Sequence, residues 1–132
     1  MKLATVVQSM RVPFLVLTPV CVFLGASTVV TAETNISLLL LVMLGALLAH
    51  ISVNALNEYS DFKSGLDLAT TRTPFSGGSG ALPENPEMSA AVLAVGAVSL
   101  VATLMIGGFF IWKFGTGLLP IGIAGLILIV TY

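Results

Sequence analysis

Residues 36–67 read ISLLLLVMLGALLAHISVNALNEYSDFKSGLD. The run Ile36 to Val53 is apolar apart from His50 and two serines. Its length approaches the roughly 20 residues that span a bilayer core as a helix. From Asn54 to Asp67 the character reverses. Three of the six acids of the chain, Glu58, Asp61 and Asp67, lie in these fourteen positions. Carboxylates next to a membrane span are costly and mark a functional site by default.

The composition extends this reading to the whole chain. Of 132 residues, 57% are hydrophobic and 8% charged, with mean hydropathy +1.08. A water-soluble domain of this length needs more surface charge. The net charge of −1 excludes the basic field expected of a nucleic-acid binder. Cys21 is the only cysteine, so no intrachain disulfide forms, and plain packing is its expected role.

Three further apolar runs are expected to form helices. The first spans about Val12 to Thr31, with Pro13 at its start and a kink at Pro19. Its length exceeds the roughly 7–15 residues of a signal-peptide core, which speaks against a cleaved leader. After the polar stretch, a long loop is expected from Ser64 to Glu87, rich in glycine and proline. The third run is Met88 to Trp112. The fourth starts near Leu118 and reaches Tyr132, about fifteen residues against the roughly 20 needed. The expected fold is therefore all-α: a polytopic transmembrane bundle of about three complete helices plus a truncated fourth. Residues 1–132 form one transmembrane domain. Lys2, Arg11, Lys63 and Arg72 fall on one side and Lys113 on the other. The positive-inside rule puts the N-terminus and residues 54–87 in the cytoplasm.

On a helix of about 100° per residue, His50, Asn54, Asn57, Glu58 and Asp61 share one face. Gly65 is expected to end the helix and let Asp67 turn back. Two or three carboxylates with an amide oxygen are hard ligands of the kind magnesium takes together with substrate phosphates. Lys63 and Arg72 could meet the phosphate itself. The spacing alone fits a cation-bridged diphosphate site and a solvated helix end equally well. Gly77-Gly78-Ser79-Gly80 lacks the lysine of a P-loop and reads as a cap over the site. Tyr59, Phe62 and Phe75 read as interfacial anchors, and Gly107, Gly108, Gly122 and Gly125 as close-packing positions between helices.

Asn57-Glu58-x-x-Asp61, Gly65-x-Asp67, Arg72-Thr73-Pro74 and Ser76-Gly77-Gly78 together resemble the UbiA superfamily of membrane prenyltransferases. The branch with 1,4-dihydroxy-2-naphthoate polyprenyltransferase is the most similar. The opening Arg11-Val-Pro-Phe-Leu-Val-Leu-Thr-Pro19 resembles that family's first helix. The resemblance implies transfer of a prenyl chain from a magnesium-bound prenyl diphosphate to an aromatic acceptor, at a bacterial or archaeal plasma membrane. It implies Asn57, Asp61 and Asp67 as magnesium ligands, and Glu58 beside them in the catalytic set. It implies Asn54, Lys63 and Arg72 at the diphosphate and His50 on the acceptor side. Glu58 stands where the family usually has aspartate.

The family also carries a second aspartate-rich motif, and no acid follows Glu87 here. The chain is therefore expected to correspond to the N-terminal half of such an enzyme, inactive alone and completed by a C-terminal half or a homo-oligomer. The competing expectations are a non-enzymatic membrane subunit, or a remnant that binds lipid or a cation, and a transporter fragment that uses the acids for ion coupling.

Overall fold

In the computed structural model, residues 2–29, 35–71, 73 and 78–132 are described. Among them all regular structure is helical. The central element is α3, Ile36–Ser64, 29 residues long. The Asn35 side chain caps its start by accepting from Leu38 N–H at 3.1 Å. Gly65, at φ 80°, ends it in the left-handed conformation that glycine adopts without strain. The helix therefore carries the polar stretch through Ser64 as a continuation of the apolar span.

The partner of α3 is α6, Ser89–Phe114, preceded by a 3₁₀ turn at Pro86–Met88. Residues 36–64 and 86–114 are both long and apolar enough to cross a membrane. The two helices run antiparallel. Gly45 faces Ile106 near one end, and Leu56 faces Gly96 towards the other. Between these contacts Ser52 Oγ donates to the Gly96 carbonyl at 3.0 Å. In lipid, apolar contact gives little net drive for helix association, so small residues and interhelical hydrogen bonds set the register.

The N-terminal part is broken. Helix α1, Lys2–Ser9, leads into a 3₁₀ turn at Val12–Val16 and then α2, Leu17–Ser27. The two arms meet at 47°. The break falls at Arg11, φ 51° and ψ 50°, and not at Pro19, where the kink is expected. Pro13 supplies the reason: it has no N–H for the carbonyl four residues back and its ring clashes with it, so α1 cannot run on through it. Pro19 lies in the first turn of α2, where an N–H lacks an intrahelical partner in any case. Asn54 on α3 fixes the bend, its Nδ2 donating to the Met10 carbonyl at 3.1 Å.

The expected loop after α3 is partly helical, with α4 at Leu66–Ala69 and α5 at Ala81–Glu84. Leu82 of α5 packs with Ala55 and Val92, and Tyr59, Phe62 and Met88 close over them. Tyr59 and Phe62 are thus core packing residues as well as neighbours of the acids. Phe75 lies outside the described residues. The chain ends in a short apolar helix, α7, Leu119–Thr131. Most large apolar side chains point outward, among them Trp112 at 82% and Leu3 at 77% exposure. Surfaces of this kind call for a lipid covering.

The expected tight packing at Gly107, Gly108, Gly122 and Gly125 is corrected by the structure. A Cβ at any of the four would meet nothing within 4 Å. Close approach happens instead at Gly45 and Gly96, where a Cβ would lie 3.1 Å from Ile106 Cγ2 and 2.9 Å from Leu56 Cγ. Gly96→Ala should therefore cost about 1–3 kcal/mol as overpacking, whereas Gly107→Ala should be neutral or slightly stabilising. Reversible unfolding of the two variants in mixed micelles measures the difference, and equal stabilities would refute the packing assignment.

Candidate functional site

The polar face of α3 does not form one cluster. Each residue on it reaches a different part of the chain. His50 Nδ1 lies 2.7 Å from Thr18 Oγ1 of α2. Asn54 holds the bend after α1. Asn57 Nδ2 donates to the Tyr132 main-chain oxygen at 3.3 Å. Glu58 reaches Ser79 of the glycine-rich loop.

Glu58 is fully buried. Its Oε2 accepts from Ser79 N–H at 3.0 Å and its Oε1 from Ser79 Oγ–H at 2.7 Å. The same hydroxyl oxygen accepts from Ala81 N–H at 3.1 Å, and Gln8 Nε2 of α1 donates to the Ser79 carbonyl at 2.8 Å. Ser79 thus ties α1, α3 and the start of α5 together. Gly78 and Gly80 flank it at φ 75° and 76°, a conformation that favours glycine. A buried carboxylate is stable only when its oxygens are hydrogen-bonded, and here both are. Glu58, expected in the catalytic set, is held on the loop by Ser79. The longer side chain suits that reach.

Asp67 does turn back after Gly65. It is 5% exposed, and its carboxyl group lies against Gly78, where a Cβ would collide with it. Asp67 therefore sits under the glycine-rich loop near the Glu58–Ser79 clamp. Asp61 differs from both. It is half-buried, and its carboxylate makes no hydrogen bond among the described residues. Asn57 is also half-buried, with Oδ1 left over from its bond to Tyr132.

Lys63 is exposed, with Nζ 5.7 Å from the centre of the Tyr59 ring. Helix geometry places it about 180° from Asn54, so it is not brought to the polar face. Arg72 lies outside the described residues, as does Gly77. Among the described residues no three His, Cys, Asp or Glu side chains come together as a metal-binding group. The partners Thr18, Gln8 and Ser79 have no local signature beyond polarity. Only the pairing of distant segments reveals them.

Beneath the polar end, a cleft of about 630 Å³ opens between α3 and α7, lined by Ala49, His50, Val53, Asn54, Leu128 and Thr131 among others. A second, largely apolar cleft of about 370 Å³ lies between α6 and α7, floored by the four uncrowded glycines. Ala49 and Ile129 line both.

No family model matches this chain, and no curated protein or solved structure matches it. The functional reading therefore stands on the residues themselves.

Breaking the clamp should leave a buried carboxylate short of partners. Ser79→Ala should cost about 1–3 kcal/mol and speed hydrogen exchange at the Ala81 amide. Exchange mass spectrometry reads this directly, and unchanged exchange would remove Ser79 as the organising residue.

Proposed function

We propose that this chain supplies the first half of a magnesium-dependent prenyl diphosphate site in a UbiA-like membrane prenyltransferase. It would act on an aromatic acceptor such as a dihydroxynaphthoate. On this reading α1 and α2 make one broken span, α3 and α6 make two more, and α7 belongs to a fourth. The N-terminus and residues 54–87 face the cytoplasm.

The observation that carries the proposal is the split between neighbouring acids. Glu58 is spent on Ser79, while the Asp61 carboxylate and the Asn57 amide oxygen remain available at the end of an apolar span. These are hard oxygen donors, and magnesium commonly takes one or two carboxylates and fills its remaining positions with water and phosphate. One carboxylate and one amide oxygen suit an ion shared with phosphate and water more than an all-protein cage. Asn57 and Asp61 would hold the ion, while Asp67 lies against Gly78 beside the Glu58–Ser79 clamp. Magnesium bound there supplies charge neutralisation for a departing diphosphate.

The residues of the chain do the rest. Asp61 and Asn57 orient the diphosphate head outside the apolar region. The Glu58–Ser79 clamp keeps the glycine-rich loop over that head and limits water. The apolar faces of α3 and α6 accept a hydrocarbon chain.

A second reading, a non-enzymatic membrane subunit that binds lipid or a cation, is favoured by the structural use of Glu58. Magnesium-dependent binding separates the two. Isothermal titration of the chain in nanodiscs with pyrophosphate should show binding only with magnesium, weakened at least about tenfold, or 1.4 kcal/mol, in Asp61→Ala. Equal binding by the variant, or binding without magnesium, would refute the role of Asp61. No binding at all would favour the second reading.

A further inference from the structure

We infer that Arg11, at the bend between α1 and α2, binds the phosphate of an anionic phospholipid from the surrounding bilayer. The inference is independent of the prenyltransferase reading and concerns a group which that reading does not use.

The backbone at Arg11 is unusual. Its φ of 51° and ψ of 50° make it the one residue other than glycine with positive φ among the described residues. A bulky side chain is uncommon in that region. Gly65, Gly78 and Gly80 hold the comparable turns, and glycine is the usual residue just past a helix end. Arg11 N–H donates to the Gln8 carbonyl at 3.0 Å, and the Arg11 carbonyl accepts from Phe14 N–H at 2.8 Å. The turn therefore uses only the main chain of this residue, and glycine would make it with less strain. The side chain has a task of its own.

A guanidinium is always charged and carries five N–H donors in a planar fork. The Nε of Arg11 is enclosed and has no hydrogen-bond partner. No acid pairs with the fork among the described residues: Glu58 is satisfied by Ser79, and Asp67 lies against Gly78. Arg11 as a whole is half-buried. Its charge is thus partly taken from water with no counter-ion from the described part of the chain, which is costly unless an anion completes the arrangement. Carboxylate and phosphate oxygens both match the fork, and phosphate is the one that a bilayer presents.

The surroundings favour a phosphate carried by lipid over one free in water. Asn54 of α3 holds the neighbouring Met10 carbonyl at 3.1 Å, which fixes the bend beside the end of an apolar span. Leu3 of α1 and Val12, Phe14 and Val16 after the bend are exposed and call for lipid. A phospholipid packed on these side chains brings its phosphate to this level, where basic groups between membrane helices take head groups. A free phosphate has no such apolar anchor.

The test uses the full chain in nanodiscs of phosphatidylcholine and phosphatidylglycerol in equal amounts, without magnesium. Both lipids carry a phosphate, but choline neutralises it in the first. Chains are released, and the lipids retained on each are counted by native mass spectrometry. The unaltered chain should retain phosphatidylglycerol at least about tenfold over phosphatidylcholine. Arg11→Gln should lower that retention at least about fivefold, whereas Lys113→Gln, the same change of charge at the far end of α6, should leave it within about twofold. Arg11→Gly relaxes the turn, so this variant keeps the fold, and it should lose lipid as Arg11→Gln does. Inorganic phosphate titrated into phosphatidylcholine nanodiscs reads the soluble source and should show no Arg11-dependent binding. Equal retention of the two lipids, unchanged retention in Arg11→Gln or Arg11→Gly, an equal loss in Lys113→Gln, or Arg11-dependent binding of free phosphate would each overturn the inference.

Discussion

A buried carboxylate at the end of a membrane-spanning helix must find hydrogen bonds or not be buried. Glu58 finds both in one residue, Ser79, and much of the arrangement follows. Ser79 can reach it because Gly78 and Gly80 take left-handed conformations. The same residue receives Gln8 from α1, which brings the N-terminal helix to that end of the bundle. Leu82, three residues on, is then placed to bury itself on Ala55 and Val92. Few apolar residues are truly enclosed, so polar bonds carry a share of the specification that a hydrophobic core carries in a soluble protein. Lipid is as apolar as leucine, and exchanging one for the other yields little.

The spans were legible in the sequence because their signal is local. A run of eighteen residues, apolar apart from His50 and two serines, passes into a polar stretch that ends at Gly65, and this pattern marks α3. The shared face of His50, Asn54, Asn57, Glu58 and Asp61 was legible for the same reason, since it needs only the helical period. Their partners were not. Thr18, Met10, Ser79 and Tyr132 are 32, 44, 21 and 75 residues away, and no local pattern encodes such distances. Glycine shows the limit from another side. Gly96 meets a leucine while Gly107 and Gly108, on the same helix, meet nothing. Composition says that a close approach is permitted, and topology decides where it happens.

Lys63 illustrates how a position drawn from resemblance can conflict with helical geometry. The polar face and Lys63 are nearly opposite on a helix of 100° per residue. Its ammonium group lies over the Tyr59 ring, a contact available at an exposed site.

The carboxylates of the polar stretch have separate fates because burial and reach differ, although all three are close in sequence. Glu58 and Asp67 are enclosed beneath the loop, where fixed hydrogen bonds and close packing suit a structural task. Asp61, one turn beyond Glu58, is only half-buried, and its carboxylate makes no hydrogen bond among the described residues. Along the helix axis Asn54 stands about 10 Å from Asp61 and about 4.5 Å from Asn57, at 1.5 Å per residue. The polar side chains of α3 thus stand at successive depths of one helix, and each depth is tied to a different element: α2 at His50, the bend after α1 at Asn54 and Ser79 at Glu58.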